Sequence, residues 1–329
     1  FGTETTIGTL ATQDPMFIRW STRDNETDWT PSATNTAGSQ RIVGGSKIVT
    51  AVRTRGQILV LTDTSAHGMS FIGAPFVFGF QQLGSNCGAI SPHSAIDVGG
   101  VSYWMSSESF FVFDGTVRKL PCTVEDFVFD NIDTTQYEQV WAGSNSAYGE
   151  VMWFYCSTAS NQVDRYVIFN YQENLWYTGS LDRSTWIDSG TYPLPYATEY
   201  DGANSLLYIH ESGKNDDGST MTSFIESGDF DIGDGDDMMF ITKLIPDFKD
   251  QVGNVNITLK SRYFPTDTQT SKGPFYYSTS GTKINPRTRG RQVAVRVESN
   301  GYNGVTNDDL NEDWRFGTFR FDVQPDGKR

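Results

Sequence analysis

The chain has 329 residues, 37% of them hydrophobic, which is enough for a folded domain with a substantial core. Its 40 acidic and 25 basic residues give a net charge of −15, which argues against a surface that grips nucleic-acid phosphates broadly but still suits a channel along which DNA slides. No segment has the roughly 18 consecutive apolar residues of a membrane helix, and a signal-peptide pattern is missing at the start.

The first segment, residues 1–15, is polar and rich in Thr, and we interpret it as an incoming strand or a linker. The chain starts at Phe1 rather than at a Met, so we expect a processed or partial product with further sequence before it.

A β-rich unit then recurs along the chain. Each copy has an apolar or aromatic strand, a polar break and a second such strand. The clearest copies are Val101–Met105 before Phe110–Gly115, and Val151–Tyr155 before Tyr166–Tyr171. Fainter copies are Ile58–Leu61 with Met69–Ile72, Leu206–Ile209 with Thr222–Ile225, and an earlier start at Phe17–Trp20. First strands therefore begin near residues 17, 58, 101, 151 and 206, and steps of 41 to 55 residues suit four-stranded propeller blades.

The composition shifts to Gly, Asp and Asn between residues 212 and 237, where we place the end of the propeller. Strands with polar and apolar residues in alternation follow, at Met239–Ile245, Asn254–Tyr263, Gln292–Ser299 and Phe316–Val323. The sequence therefore predicts an all-β chain, with a β-propeller of about five blade-like repeats in residues 1–235 and a small β-sandwich or barrel in residues 236–329.

The acidic run after the propeller has carboxylates at alternating positions, as a calcium ion requires. The candidate ligands are Asp229, Asp231, Asp234 and Asp236. The run lacks the final Glu of an EF-hand loop, and an interdomain linker hydrated by its own charges explains the same residues.

A basic cluster comprises Arg287, Arg289, Arg291 and Arg296. These side chains could contact phosphates, but in an acidic protein we favour the charged half of a subunit interface, because Arg pairs with carboxylates in bidentate geometry.

No motif in the sequence indicates an enzyme or a cofactor. The histidines, His67, His93 and His210, fall in three different units, and no nucleophile elbow is present. The cysteines Cys87, Cys122 and Cys156 are interpreted as small buried hydrophobes, with a Cys87–Cys122 bridge left open.

Two alternatives remain: aromatic segments around Trp176 and Trp186 could bind sugars, although core packing is favoured, or a carboxylate pair could make a glycosidase.

Several strings resemble structural proteins of tailed bacteriophages. They are Phe17–Thr22, Asp28–Pro31, Asn35–Gly38, Phe76–Leu83, Arg289–Gln292, Trp314–Gly317 and Asp326–Arg329. The resemblance spans nearly the whole chain, and its strings identify related proteins rather than a reaction.

The resemblance implies a β-propeller tail component of short-tailed phages, the nozzle or hub type that continues the DNA channel. As implied partners we expect further copies of the chain in a ring, adaptor and fibre subunits of the tail, and double-stranded DNA that passes non-specifically. We expect a non-enzymatic virion protein without a cofactor or a membrane anchor.

Overall fold

The computed structural model of the protein describes residues 1–200, 202–299 and 311–328, and these are nearly all β, as predicted. They form two compact units, Phe1–Glu211 and Ser212–Arg329. The division falls earlier than the predicted boundary at residue 235, because strand β18 (Phe224–Glu226) pairs with a strand of the second unit. In the described ranges no helix is long and apolar enough to cross a membrane.

The first unit is a series of antiparallel sheets whose strands follow one another in chain order. A two-stranded sheet, β1–β2, precedes three four-stranded sheets, β3–β6, β7–β10 and β11–β14, and a three-stranded sheet, β15–β17. The strands are β1 (Phe17–Trp20), β2 (Gly38–Arg41), β3 (Ile48–Thr54), β4 (Gln57–Thr62), β5 (Ser65–Gly73), β6 (Val77–Ser85), β7 (Ala95–Val98), β8 (Val101–Met105), β9 (Phe110–Phe113), β10 (Val117–Leu120), β11 (Trp141–Asn145), β12 (Glu150–Tyr155), β13 (Arg165–Asn170), β14 (Leu175–Ser180), β15 (Thr185–Ile187), β16 (Tyr196–Tyr200) and β17 (Ser205–Ile209). Helix α1 (Glu125–Phe129) and a 3₁₀ turn at Thr134–Gln139 lie between β10 and β11, and a second 3₁₀ turn is at Leu10–Thr12.

Consecutive sheets stack face to face, as propeller blades do. In β12, Val151, Trp153 and Tyr155 join the core shared with sheet β7–β10, whereas Met152 and Phe154 join the core shared with sheet β15–β17. The first strands of successive sheets also lie side by side, β3 with β7, β7 with β11, and β11 with β15. A strand covered on both faces has no polar face, which explains why β8 and β12 are apolar apart from Ser102 and Glu150.

Tryptophan side chains fill the junctions between these sheets. Trp104 donates from Nε1 to the Cys87 carbonyl at 2.8 Å, and Trp153 donates to the Ser94 carbonyl at 2.9 Å. Both side chains are fully buried, so each indole is apolar packing with its one polar group satisfied. Trp176 packs on Phe110, and Trp186 is buried. The favoured core role of these tryptophans is confirmed.

The structure corrects the positions of the repeats. The sheets begin at Ile48, Ala95, Trp141 and Thr185, and the predicted starts near 58, 101 and 151 are second strands. First strands such as β3 and β7 are mostly half-buried and lack the continuous apolar run that marks their neighbours.

Two of the fainter repeats are also paired differently. Strand β17 pairs with β16, not with residues 222–225, and among the described strands β1 pairs with β2 alone. The last predicted blade therefore joined strands from two different units.

The second unit is a small sandwich of two sheets, as predicted. One sheet has the order β18–β23–β20–β21, and the other has the order β22–β19–β24. The remaining bounds are β19 (Asp237–Val252), β20 (Val255–Arg262), β21 (Thr270–Tyr277), β22 (Thr288–Gly290), β23 (Gln292–Ser299) and β24 (Asp313–Lys328). Met239, Ile241, Ile257, Val293 and Val295 meet in the buried core between them.

Replacing the buried indole of Trp104 tests the stacking directly. We expect Trp104→Ala to lower the free energy of unfolding by about 3–5 kcal/mol, because it leaves a cavity between two sheets. All tryptophans except Trp314 lie in the first unit, so urea unfolding followed by tryptophan fluorescence reports on that unit.

Trp29→Ala is the matched control, since that side chain is exposed and its loss should change stability by less than about 1 kcal/mol. Equal effects of the two substitutions would contradict the stacked core.

Candidate functional site

An acidic cluster lies where the β11–β12 hairpin turns. Asn145 and Glu150 are opposite each other in the hairpin, so their side chains share one face of the sheet. That face continues through Met152 and Phe154 toward sheet β15–β17. Glu211 lies two residues after the end of β17 and reaches the same place. Two carboxylates that are distant in sequence therefore meet at the junction of two sheets.

Hydrogen bonds tie the cluster together. The Asn145 amide donates from Nδ2 to Glu211 Oε1 at 3.0 Å. The Tyr177 hydroxyl donates to Glu150 Oε1, and the Tyr148 hydroxyl donates to the Glu211 carboxylate. The cluster thus contains two carboxylates, one amide and two phenols, with both tyrosines exposed.

The environment changes the acidity of Glu150, which is half-buried. Burial, followed by the negative charge of Glu211, raises the pKa of Glu150 to about 7. The charge of Glu211 is also the main cause that raises the pKa of Tyr148. A carboxylic acid that exchanges its proton near neutral pH is chemically suited to general acid or general base catalysis. Its raised pKa also marks a place where the negative charge of the carboxylates is not compensated.

A buried ion pair anchors the segment that carries Glu211. Arg183 donates from Nη1 to Glu199 Oε2 at 2.7 Å and from Nε to His210 Nε2 at 2.9 Å. Because His210 Nε2 accepts a hydrogen bond from a cation, its ring is neutral with the proton on Nδ1. The Arg183 guanidinium also lies 4.0 Å from the centre of the Tyr208 ring. This network fixes the position of His210, the residue next to Glu211.

The second prominent surface feature is the tip of the β5–β6 hairpin. Phe71, Ile72 and Phe76 are 73%, 57% and 72% exposed. From Thr64 to Ile96 the chain has no Asp, Glu, Lys or Arg, in a protein where such residues make up 20% of the sequence. An uncharged hairpin that presents three large apolar side chains to solvent is typical of a contact surface.

The last sheet of the first unit also has an apolar outer face. Ile187 and Ile209 are opposite Tyr196 in the register, on the face away from the buried Trp186. Ile187, Ile209 and Leu207 are all exposed. Within the described residues of this unit, no further sheet follows to cover them.

The aspartates of the predicted calcium run are used differently. Asp229 pairs with Arg262 and accepts from Gln269 Nε2 at 3.0 Å. Over the described ranges, no group of three or more His, Cys, Asp or Glu side chains is placed to share a metal ion. The calcium hypothesis for Asp229, Asp231, Asp234 and Asp236 therefore stays a prediction without a geometric basis.

The predicted interface arginines lie in the second unit and make contacts inside it. Arg289 pairs with Asp326 at 2.6 Å, and Arg296 pairs with Glu226 at 3.0 Å and Glu298 at 2.7 Å.

The other two arginines have different surroundings. Arg291 lies over the Phe264 ring, and Arg287 lines a surface depression with Phe240 and Lys243. A role of any of the four in subunit contacts stays a prediction.

The histidines and cysteines form no common site. His67 is buried and bonded to Ser65, His93 stacks on Trp141, and His210 is bonded to Arg183. All three cysteines are free, so the bridge that was left open between Cys87 and Cys122 does not form. Cys87 and Cys156 are buried, as predicted, and Cys122 is half-buried.

Comparison with known proteins gives no family. No protein-family model and no curated protein matches the chain. Among solved structures, one named "Glycoside hydrolase" is similar over 77% of this chain and 82% of that chain, with 8% identity and a TM-score of 0.26.

The pKa of Glu150 predicts a specific dependence of stability on pH. The folded-state pKa near 7 lies above the ordinary value of 4.5, so ionising Glu150 destabilises the fold. The penalty is absent below about pH 4.5, grows as the pH rises and is complete above about pH 7. Glu150→Gln should therefore raise the melting temperature by a few degrees near pH 8 and leave it unchanged near pH 4.

Melting curves in buffers without divalent cations measure this difference. Glu173→Gln, which removes an exposed carboxylate from the loop after β13, controls for the change in net charge. A Glu150→Gln effect of the same size at both pH values would contradict the assignment.

Proposed function

We propose that the chain is a non-enzymatic structural component of a phage tail, of nozzle or hub type, that forms part of an oligomeric ring around the DNA exit channel. The observation that carries the proposal is the uncharged, apolar tip of the β5–β6 hairpin. The sequence segments that resemble structural proteins of tailed bacteriophages supply the biological setting.

The hairpin tip has a reason to be buried in an assembly. Covering a large apolar side chain contributes roughly 1.5–3 kcal/mol, and Phe71, Ile72 and Phe76 are available together. Copies that each carry a net charge of −15 repel one another, so a self-contact through an uncharged segment avoids opposing like charges. The tip is therefore the favoured contact to a second copy.

A ring requires two different surfaces on each copy. The outer face formed by Ile187, Leu207 and Ile209 is a second exposed apolar area, distant in sequence from the hairpin. Contacts between two unlike surfaces are head-to-tail, and they make a ring when the rotation closes. Adaptor and fibre subunits would add to such a ring, and an acidic lumen would let double-stranded DNA pass without sticking.

Substitutions at the hairpin tip test this proposal. Phe71→Ser with Phe76→Ser should leave the circular dichroism spectrum and the melting temperature unchanged, because both side chains are exposed. In complementation of a phage that lacks this chain, we expect at least a tenfold loss of the protein from purified particles, measured by mass spectrometry.

The matched control is Phe127→Ser, an exposed Phe in helix α1 with acidic neighbours Asp126 and Asp130. Normal incorporation of the hairpin variant, or an equal loss in the control, would count against the hairpin as the assembly contact.

One observation favours a second candidate function, a carbohydrate-degrading enzyme. Glycosidases act through two carboxylates, one of them with a raised pKa, and Glu150 and Glu211 form an interacting pair beside the exposed rings of Tyr148 and Tyr177. Neither Glu150 nor Glu211 lines either of two surface depressions of the described residues, one of which is lined by Arg19 and the other by Lys243.

Release of reducing ends from bacterial polysaccharides tests this candidate. An enzyme would lose nearly all activity in both Glu150→Gln and Glu211→Gln, while Glu173→Gln would stay active. No release by the unaltered protein from a broad polysaccharide panel would end the candidacy.

A further inference from the structure

We propose that the cluster formed by Asn145, Glu150 and Glu211 binds a divalent cation of the calcium class. The site is independent of the assembly proposal, it uses the same two carboxylates as the carbohydrate-degrading candidate, and no sequence motif marks it.

The first observation is an orphaned oxygen. Asn145 is 1% exposed, and its Oδ1 has no hydrogen-bond partner. The same amide donates from Nδ2 to Glu211 Oε1, so the unpartnered oxygen belongs to a group that already touches the carboxylate cluster. A buried acceptor without a donor costs about 1–3 kcal/mol. A cation beside the two carboxylates would satisfy that oxygen directly.

The second observation is the balance of charge. Among the ion pairs of the described residues, none includes Glu150 or Glu211, although Glu199 nearby is paired with Arg183. The donors that reach Glu150 and Glu211 are neutral, namely two tyrosine hydroxyls and the Asn145 amide. Glu150 is half-buried beside the exposed Glu211, and two neighbouring negative groups without a positive partner favour a bound cation.

The hydrogen bonds leave oxygen atoms that can coordinate a cation. Tyr177 donates to Oε1 of Glu150, and in the described part of the chain Oε2 of the same carboxylate has no protein donor. Together with Asn145 Oδ1 and the carboxylate of Glu211, this oxygen starts a coordination shell that water and the tyrosine hydroxyls can complete. Asp229 has a different setting, because its carboxylate is held by Arg262 and Gln269.

The donor set selects the class of metal. All donors are oxygens, and calcium accepts six to eight of them in flexible geometry. Zinc prefers nitrogen and sulfur, and His210, the neighbouring imidazole, is bonded to Arg183. With only two carboxylates we expect weak binding, in the range of about 10⁻⁴–10⁻³ M found for extracellular calcium modules.

A bound cation would have a structural consequence. Asn145 and Glu150 belong to the β11–β12 hairpin, whereas Glu211 follows the last strand of sheet β15–β17. The ion would therefore link two consecutive sheets at the point where the second sheet has no further sheet to support it.

Terbium luminescence provides the most direct test, because Tb³⁺ replaces Ca²⁺ and is sensitised by nearby aromatic rings. Tb³⁺ added to chelator-treated protein should give emission on excitation of Tyr148 and Tyr177, and Ca²⁺ should compete it away. Glu211→Gln, a conservative change at an exposed side chain, should weaken Tb³⁺ binding roughly tenfold, since ligand charge sets affinity. Asn145→Ala should weaken it as well.

Thermal melting gives a second readout of the same site. Millimolar CaCl₂ should raise the melting temperature of the unaltered protein more than NaCl at equal ionic strength, and Glu211→Gln should abolish the difference. The control Asp229→Asn should keep both signals.

Three outcomes would overturn the proposal. They are no Tb³⁺ emission at millimolar concentration, unchanged binding in Glu211→Gln, and loss of binding in Asp229→Asn alone. The third result would assign the cation-binding site to the acidic run of the second unit. None of these outcomes bears on whether the protein enters a particle, so the assembly proposal is tested separately.

Discussion

Burial of both faces of the second strand in each four-stranded sheet is the constraint on which the first unit depends. Residues that alternate along β12 pack into two different cores, so neither core can form unless a sheet lies on each side. A single sheet of this kind would expose an apolar face and could not be stable alone. Stacking in chain order follows, and Trp104 and Trp153 fill the space between sheets with their indole N–H groups satisfied.

The same constraint explains where functional surface remains. A stack has ends, and its last sheet exposes Ile187, Leu207 and Ile209 on the face that no sheet of the unit covers. The acidic cluster of Glu150 and Glu211 lies at the junction just before that end, where polar hairpin residues replace the apolar core. Apolar side chains therefore offer contacts to partners, and uncompensated carboxylates offer a place for a proton or a cation.

The sequence predicted the parts that depend on burial and missed those that depend on pairing. Apolar and aromatic runs located β8, β9, β12 and β13, in which the polar residues are Ser102 and residues at the strand ends. Half-buried strands such as β7 lack that signal, so the repeats predicted to start near residues 58, 101 and 151 were started one strand late. Strand β18 was assigned to the wrong unit, because nothing in Phe224–Glu226 indicates that it pairs with β23.

Glu150 and Glu211 were missed because only the fold brings them together, and the raised pKa of Glu150 comes from burial and from that proximity. The absence of charge between Thr64 and Ile96 was readable from the sequence alone and is the one signal that could have identified the hairpin.

Electron cryomicroscopy of intact particles tests the central claim, assembly of this chain into a tail ring, most directly. The account predicts a closed ring of copies below the head, with Phe71, Ile72 and Phe76 of each copy buried against its neighbour. A particle without this chain, or a ring in which the hairpin tip faces solvent on every copy, would contradict it.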